Sequence, residues 1–123
     1  MIEKIRFIKK EEEKDVFHKV CSDILRALTI LYGSAWQSDL ESVLLALWQL
    51  RNIELDKLPE FEKNIEKAIK YLNEEGIIKS QERMKGDLSG GPIRETFHTV
   101  QNISYLLMVY SGDKEVLNYR KQL

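Results

Sequence analysis

Tyr71-Leu72-Asn73-Glu74-Glu75-Gly76-Ile77-Ile78, then Lys85-Gly86-Asp87-Leu88-Ser89-Gly90-Gly91-Pro92, then Ile93-Arg94-Glu95-Thr96-Phe97-His98-Thr99-Val100, is the stretch whose reading decides the fold. Gly76 closes an amphipathic run, and the left-handed turn that ends a helix favours glycine. Ile77, Ile78 and the polar run to Met84 predict a strand. The segment from Lys85 to Pro92, with Gly86, Gly90, Gly91 and Pro92, predicts a loop that leads into no helix. Thr96, Phe97, Thr99 and Val100 suit a pleated surface, so Ile93 to Val100 returns as the second strand of a hairpin.

Working upstream, Glu60 to Glu75 places Phe61, Ile65, Ala68, Ile69 and Leu72 on one side of a helix. Ile53 to Glu60 holds one helical turn around Leu55, Leu58 and Pro59. Before it, Leu40, Val43, Leu44, Leu47, Trp48 and Leu50 give a helix with a wide apolar surface; Ser38 and Glu41 form its capping box and Asn52 ends it. Phe17, Val20, Cys21, Ile24, Leu28 and Leu31 mark a further helix over 15–35, stopped by Gly33 and Ser34. Residues 1–14, with Ile2, Ile5, Phe7 and Ile8 ahead of a Lys/Glu run, read as an arm with an apolar start and a solvated end. Downstream, residues 101–123 are helical, with a break at Ser111, Gly112 and Asp113. The expectation is one mainly α domain with a small β-hairpin.

Composition excludes several classes. The 123 residues are 43% hydrophobic, enough for a single core, and 19 basic side chains stand against 20 acidic ones, so no strong field of either sign covers the molecule. Tight non-specific grip on nucleic acid is therefore not expected. One cysteine, Cys21, supports neither an internal disulfide nor a structural zinc site. Without an apolar run long enough to span a bilayer or a leader-like start, the chain reads as cytoplasmic, with no membrane partner. The Lys and Glu bias is one that hyperthermophile proteins share.

The order of elements over 37–100 resembles a winged helix-turn-helix, and the residues quoted above carry the resemblance. In transcriptional regulators of this superfamily, including the MarR and PadR types, the recognition helix ends in Leu-x-x-x-Gly-Leu/Ile-Ile and runs straight into the wing; Gly90-Gly91-Pro92 before the second strand is PadR-like. Where those families commonly have Arg/Lys-x-Tyr-x-Leu-Thr, this chain has Arg94-Glu95-Thr96-Phe97-His98-Thr99. The resemblance implies a winged helix carrying extra N-terminal and C-terminal helices, and a DNA-binding regulator of transcription that acts as a homodimer on double-stranded DNA.

A helix fits the major groove, and Lys, Arg and backbone N–H groups on phosphates set its register. Lys63, Lys67 and Lys70 lie opposite the apolar stripe of the 60–75 helix, Asn64 is a candidate base reader, and Arg83, Lys85 and Arg94 are candidate wing contacts. Glu60 to Gly76 still carries a net charge of −2, so one protomer neutralises few phosphates and two recognition helices are needed. The helix over 15–35 and the C-terminal helix, richer in apolar residues than a small three-helix core requires, are candidate dimer faces. A solvated helix face, with Glu66 paired to Lys70, is the plainer account of the lysines. The near-neutral surface also suits a winged helix used as a protein–protein interaction module, an adaptor or subunit with a protein partner.

Enzymatic chemistry finds little support. His18 and Cys21 supply two metal ligands and no closed site. His98 has no nucleophile beside it in sequence and reads as a wing residue. The Gly86 to Gly91 loop lacks the phosphate-binding pattern of a P-loop or dinucleotide site. No catalytic residue, metal or cofactor is assigned.

Overall fold

The computed structural model describes residues 1–86 and 90–122. The chain is mainly helical, with α1 (Ile2–Lys10), α2 (Val16–Ile30), α3 (Gln37–Leu50), α4 (Leu58–Lys63), α5 (Ile65–Glu74), α6 (Ile103–Tyr110) and α7 (Lys114–Lys121). Three short strands, β1 (Ser34–Trp36), β2 (Ile78–Lys85) and β3 (Ile93–Val100), form one antiparallel sheet in the order β1-β3-β2.

α2 is the hub. Asp15 caps it by accepting from the His18 backbone N–H at 2.9 Å, and from Val20 to Ile30 every residue is buried. α1, α3, α4, α5, α6 and α7 all pack on it. A helix apolar on one face alone leaves its other face wet; this one is enclosed all round, so Ser22, Asp23, Arg26 and Thr29 are buried with it and must find partners inside.

Those partners form a charged knot. Arg26 reaches Asp113 from Nε at 3.0 Å, Asp23 from Nη1 at 3.0 Å and Glu12 from Nη2 at 2.7 Å. Asp23 in turn accepts from the Trp48 indole at 2.9 Å and from Arg51 at 2.6 Å, and Arg51 also meets Glu115. Lys9 pairs with the outer oxygen of Asp113 at 3.0 Å. Among the described residues, no buried side-chain polar atom is left without a partner. The knot joins α1 and the turn after it, α2, α3 and the start of α7.

Several expectations are corrected. Residues 1–14 are no loose arm: residues 2–10 are helical, and Ile5 and Ile8 are each 1% exposed, seated in the core by the packing of α1 on α2 and α6. The 15–35 helix is no dimer face, because its apolar surplus is consumed within the protomer. The expected capping box is absent: α3 starts at Gln37, and the Ser38 hydroxyl donates instead to Glu95 of β3 at 2.7 Å, while the same Glu95 oxygen accepts from the Ser38 backbone N–H at 2.8 Å. A carboxylate from another element thus does the capping. The 60–75 helix breaks at Asn64 into α4 and α5.

The hairpin falls where the sequence places it, as does the break between α6 and α7. Of the predicted Lys85–Pro92 loop, residues 87–89 lie outside the described residues. β1 is an addition: Gly33, at φ +97°, turns the chain out of α2, donates to the Leu28 carbonyl at 2.7 Å and accepts from the Val100 backbone N–H at 2.8 Å, which starts the β1–β3 ladder.

Candidate nucleic-acid interface and the groove beside it

On α4 and α5, Lys63, Lys67 and Lys70 are exposed, and none of them meets a carboxylate among the described residues, so the expected Glu66–Lys70 pair is not formed. Asn64 stands apart from them. It is buried, its amide donates to the Glu60 carbonyl at 2.8 Å, and it ends α4. A side chain spent on its own backbone cannot read a base edge, so Asn64 is withdrawn from the interface.

The hairpin bases do not share a face. β2 and β3 pair with Arg83 opposite Glu95, Met84 opposite Arg94 and Lys85 opposite Ile93. Side chains alternate along a strand, so Arg83 and Lys85 project to one side with Glu95 and Ile93, and Arg94 projects to the other. Each basic group is also engaged. The Arg83 guanidinium lies 4.4 Å from the Phe97 ring centre, and Lys85 reaches Glu95 at 3.6 Å and lies 5.5 Å from the Trp36 ring centre. Arg94 meets Glu82 at 3.5 Å. Trp36 and Phe97 pack edge to face at 5.0 Å beneath Arg83 and Lys85.

Behind the hairpin, polar side chains run in one direction across four elements. The Asn73 amide donates to Ser80 Oγ at 2.9 Å, and Ser80 Oγ lies 2.6 Å from His98 Nδ1. His98 Nε2 lies 2.6 Å from Gln37 Oε1, and the Gln37 amide donates to Glu41 at 3.3 Å. One hydrogen arrangement satisfies every link: Ser80 donates to Nδ1, and Nε2–H donates to Gln37. Burial holds the His98 pKa below the usual histidine value, which favours this neutral Nε2–H form. His98 is no exposed wing contact; it is fully buried and ties β3 to β2, α3 and α5.

Beyond this relay lies a groove of about 740 Å³ between α3, α4–α5 and β3, lined by Gln37, Glu41, Leu45, Trp48, Glu62, Ile65, Glu66, Ile69, Thr96 and His98. α5 packs on α2 and β2, whereas α3 packs on α2, β1, β3 and α7, so the two helices stand apart. The sequence reading missed this groove. Glu62 and Glu66, four residues apart, share a side of the segment, but what they face depends on how far α3 stands away.

His18 Nδ1 lies 2.7 Å from Asp15, and burial pushes the Cys21 thiol up to about 12. No group of three or more metal-ligating side chains gathers among the described residues. No described helix is long and apolar enough to cross a membrane.

No protein-family model matches the chain, and no curated protein is significantly similar to it.

Proposed function

We propose that this chain is a winged helix that binds double-stranded DNA as a homodimer, with α4–α5 presented to the major groove and the β2–β3 hairpin lying along the backbone. The observation that carries the reading is the row of exposed lysines on α4–α5, Lys63, Lys67 and Lys70, that no carboxylate occupies among the described residues. Exposed ammonium groups that are free of internal partners are available to phosphates. The element order α2-β1-α3-α4/α5-β2-β3 and the sheet order β1-β3-β2 support a helix-turn-helix with an attached wing. Regulation of transcription follows from the resemblance described above.

The dimer requirement follows from charge, since each protomer offers few free cations. Phe7 on α1 and Leu107 and Met108 on α6 are exposed apolar residues on two helices that pack together, and they provide its candidate face.

The test is the fluorescence anisotropy of a labelled random-sequence duplex, titrated at low and near-physiological salt, with the particle mass read by light scattering. Dimeric protein whose affinity falls steeply with salt is expected. Changing Lys63 and Lys67 together to Glu is expected to remove that binding while leaving the thermal midpoint in place. Unchanged affinity in this variant overturns the assignment of α4–α5.

A second reading rests on the hairpin. Its bases are answered by its own acids and aromatics, and Met84 and Ile93 stand 57% and 51% exposed near its outer end. Met84 projects to the Arg94 side and Ile93 to the Arg83 and Lys85 side, so each face of the hairpin end offers an apolar contact to a protein partner, with the winged helix serving as an adaptor or subunit. Absence of duplex binding at low salt, with stable co-purification of one protein that a Met84→Glu variant loses, favours it.

A further inference from the structure

We infer that the groove between α3 and α5 is a binding site for an amphiphilic organic cation, an apolar body carrying a permanently charged or protonated nitrogen or phosphorus. The inference does not depend on duplex binding. Protein interiors close gaps between helices to near crystal density, yet here a space of about 740 Å³ stays open beside the core. That volume lies in the range of small-molecule sites.

Its lining is divided by chemistry. Leu45, Ile65 and Ile69 give it apolar walls, and Leu45, outside the buried face of α3, is 41% exposed. Glu41, Glu62 and Glu66 bring carboxylates from both sides, and the described lining contains no Lys or Arg. On α4–α5, Glu62 and Glu66 line the groove, whereas Lys63, Lys67 and Lys70 stand outside the lining. An anionic ligand would meet repulsion from every charged side chain of the lining, whereas a cation with apolar substituents satisfies both parts of it. Glu41 is further oriented by Gln37, itself held by His98, so one carboxylate stands in a fixed place before any ligand arrives.

Tetraphenylphosphonium and tetraphenylborate provide a matched pair of probes, alike in size and shape and opposite in charge. Titration calorimetry of the full chain, with tryptophan fluorescence as a second readout because Trp48 lines the groove, is expected to show saturable binding of the phosphonium at one site per chain and much weaker binding of the borate. A Glu62→Gln, Glu66→Gln variant, altered at exposed positions whose carboxylates make no hydrogen bond or ion pair among the described residues, is expected to bind the phosphonium about tenfold less tightly, equivalent to about 1.4 kcal/mol. Its circular dichroism should match that of the parent. The Lys63→Glu, Lys67→Glu variant should bind the cation at least as well as the parent, which separates this site from the proposed DNA interface. Absence of saturable phosphonium binding, equal binding of the borate, or full affinity in the glutamine variant each overturns the inference. Capture of a basic amphipathic peptide in place of the small cation also overturns it.

Discussion

At the scale of single residues, His98 shows how a side chain's surroundings decide its part. In sequence it sits among hairpin residues, with nothing to distinguish it from a solvent-facing contact. In the fold it is enclosed and bonded on both ring nitrogens. Because burial depresses its folded pKa, the unfolded chain binds the proton more readily. Its contribution to stability is therefore complete above about pH 6.5 and is lost as pH falls through the lower, folded value. His98→Gln is expected to cost about 1–3 kcal/mol at pH 7.5 by leaving Ser80 or Gln37 unpaired. In urea unfolding, the gap between parent and variant should narrow from pH 7.5 to pH 5; a gap that widens would contradict the neutral tautomer. The lysines behave oppositely. Their exposure was legible from spacing alone, because a residue opposite an apolar stripe has nowhere to go but outward. Asn64 was misjudged by the same logic, since position on a helical wheel says nothing once the helix itself breaks there.

Elements begin and end for local reasons more often than they pack for local reasons. Gly76 and the β2–β3 hairpin were readable because cap and turn chemistry act over a few residues. The start of α3 was not. Ser38 and Glu41 match a capping box in sequence, but Glu95, fifty-seven residues from Ser38, takes the Ser38 hydroxyl and backbone N–H. These bonds also lower the pKa of Glu95. The turn between α2 and β1 depends on Gly33. At φ +97° an L-residue is strained, and a Cβ there would stand 2.7 Å from Ile103 Cδ1. Gly33→Ala should cost about 1–3 kcal/mol. Adding Ile103→Ala should recover the steric part and leave the backbone part, as thermal or urea unfolding of the two variants will show; full recovery would mean that the backbone conformation costs nothing.

Across the whole molecule, the charged knot around Arg26 ties together segments from both ends of the chain. Its value lies less in net stabilisation than in leaving one arrangement in which every buried charge is answered. Arg26→Met strips the common partner from Glu12, Asp23 and Asp113 and is expected to cost about 3–5 kcal/mol, enough to unfold a marginal domain. Asp113→Asn is the milder probe, because asparagine still caps α7. Burial pushes the Asp113 carboxyl up, but its bonds to Arg26 and the neighbouring charge outweigh this and hold it at about 2, below the ordinary 3.8. The stability it supplies is present above pH 3.8 and is lost as pH falls toward 2. The Asn variant should therefore show a flatter dependence of unfolding midpoint on pH across that window. An unchanged slope would assign the acid sensitivity to other carboxylates.

Helix periods, the stops at Gly33 and Gly76, the glycine-rich turn and the alternation of the hairpin were legible in the chain, because each is decided by residues within about one turn of each other. These cover most of the elements and the exposed lysines of the candidate interface. The enclosure of α2, the seating of α1, the capping of α3 by a strand, the His98 relay and the groove between α3 and α5 were decided by tertiary structure. Each joins residues far apart in the chain, and the energy that selects them comes from desolvated charges and packed surface that exist only after the helices meet.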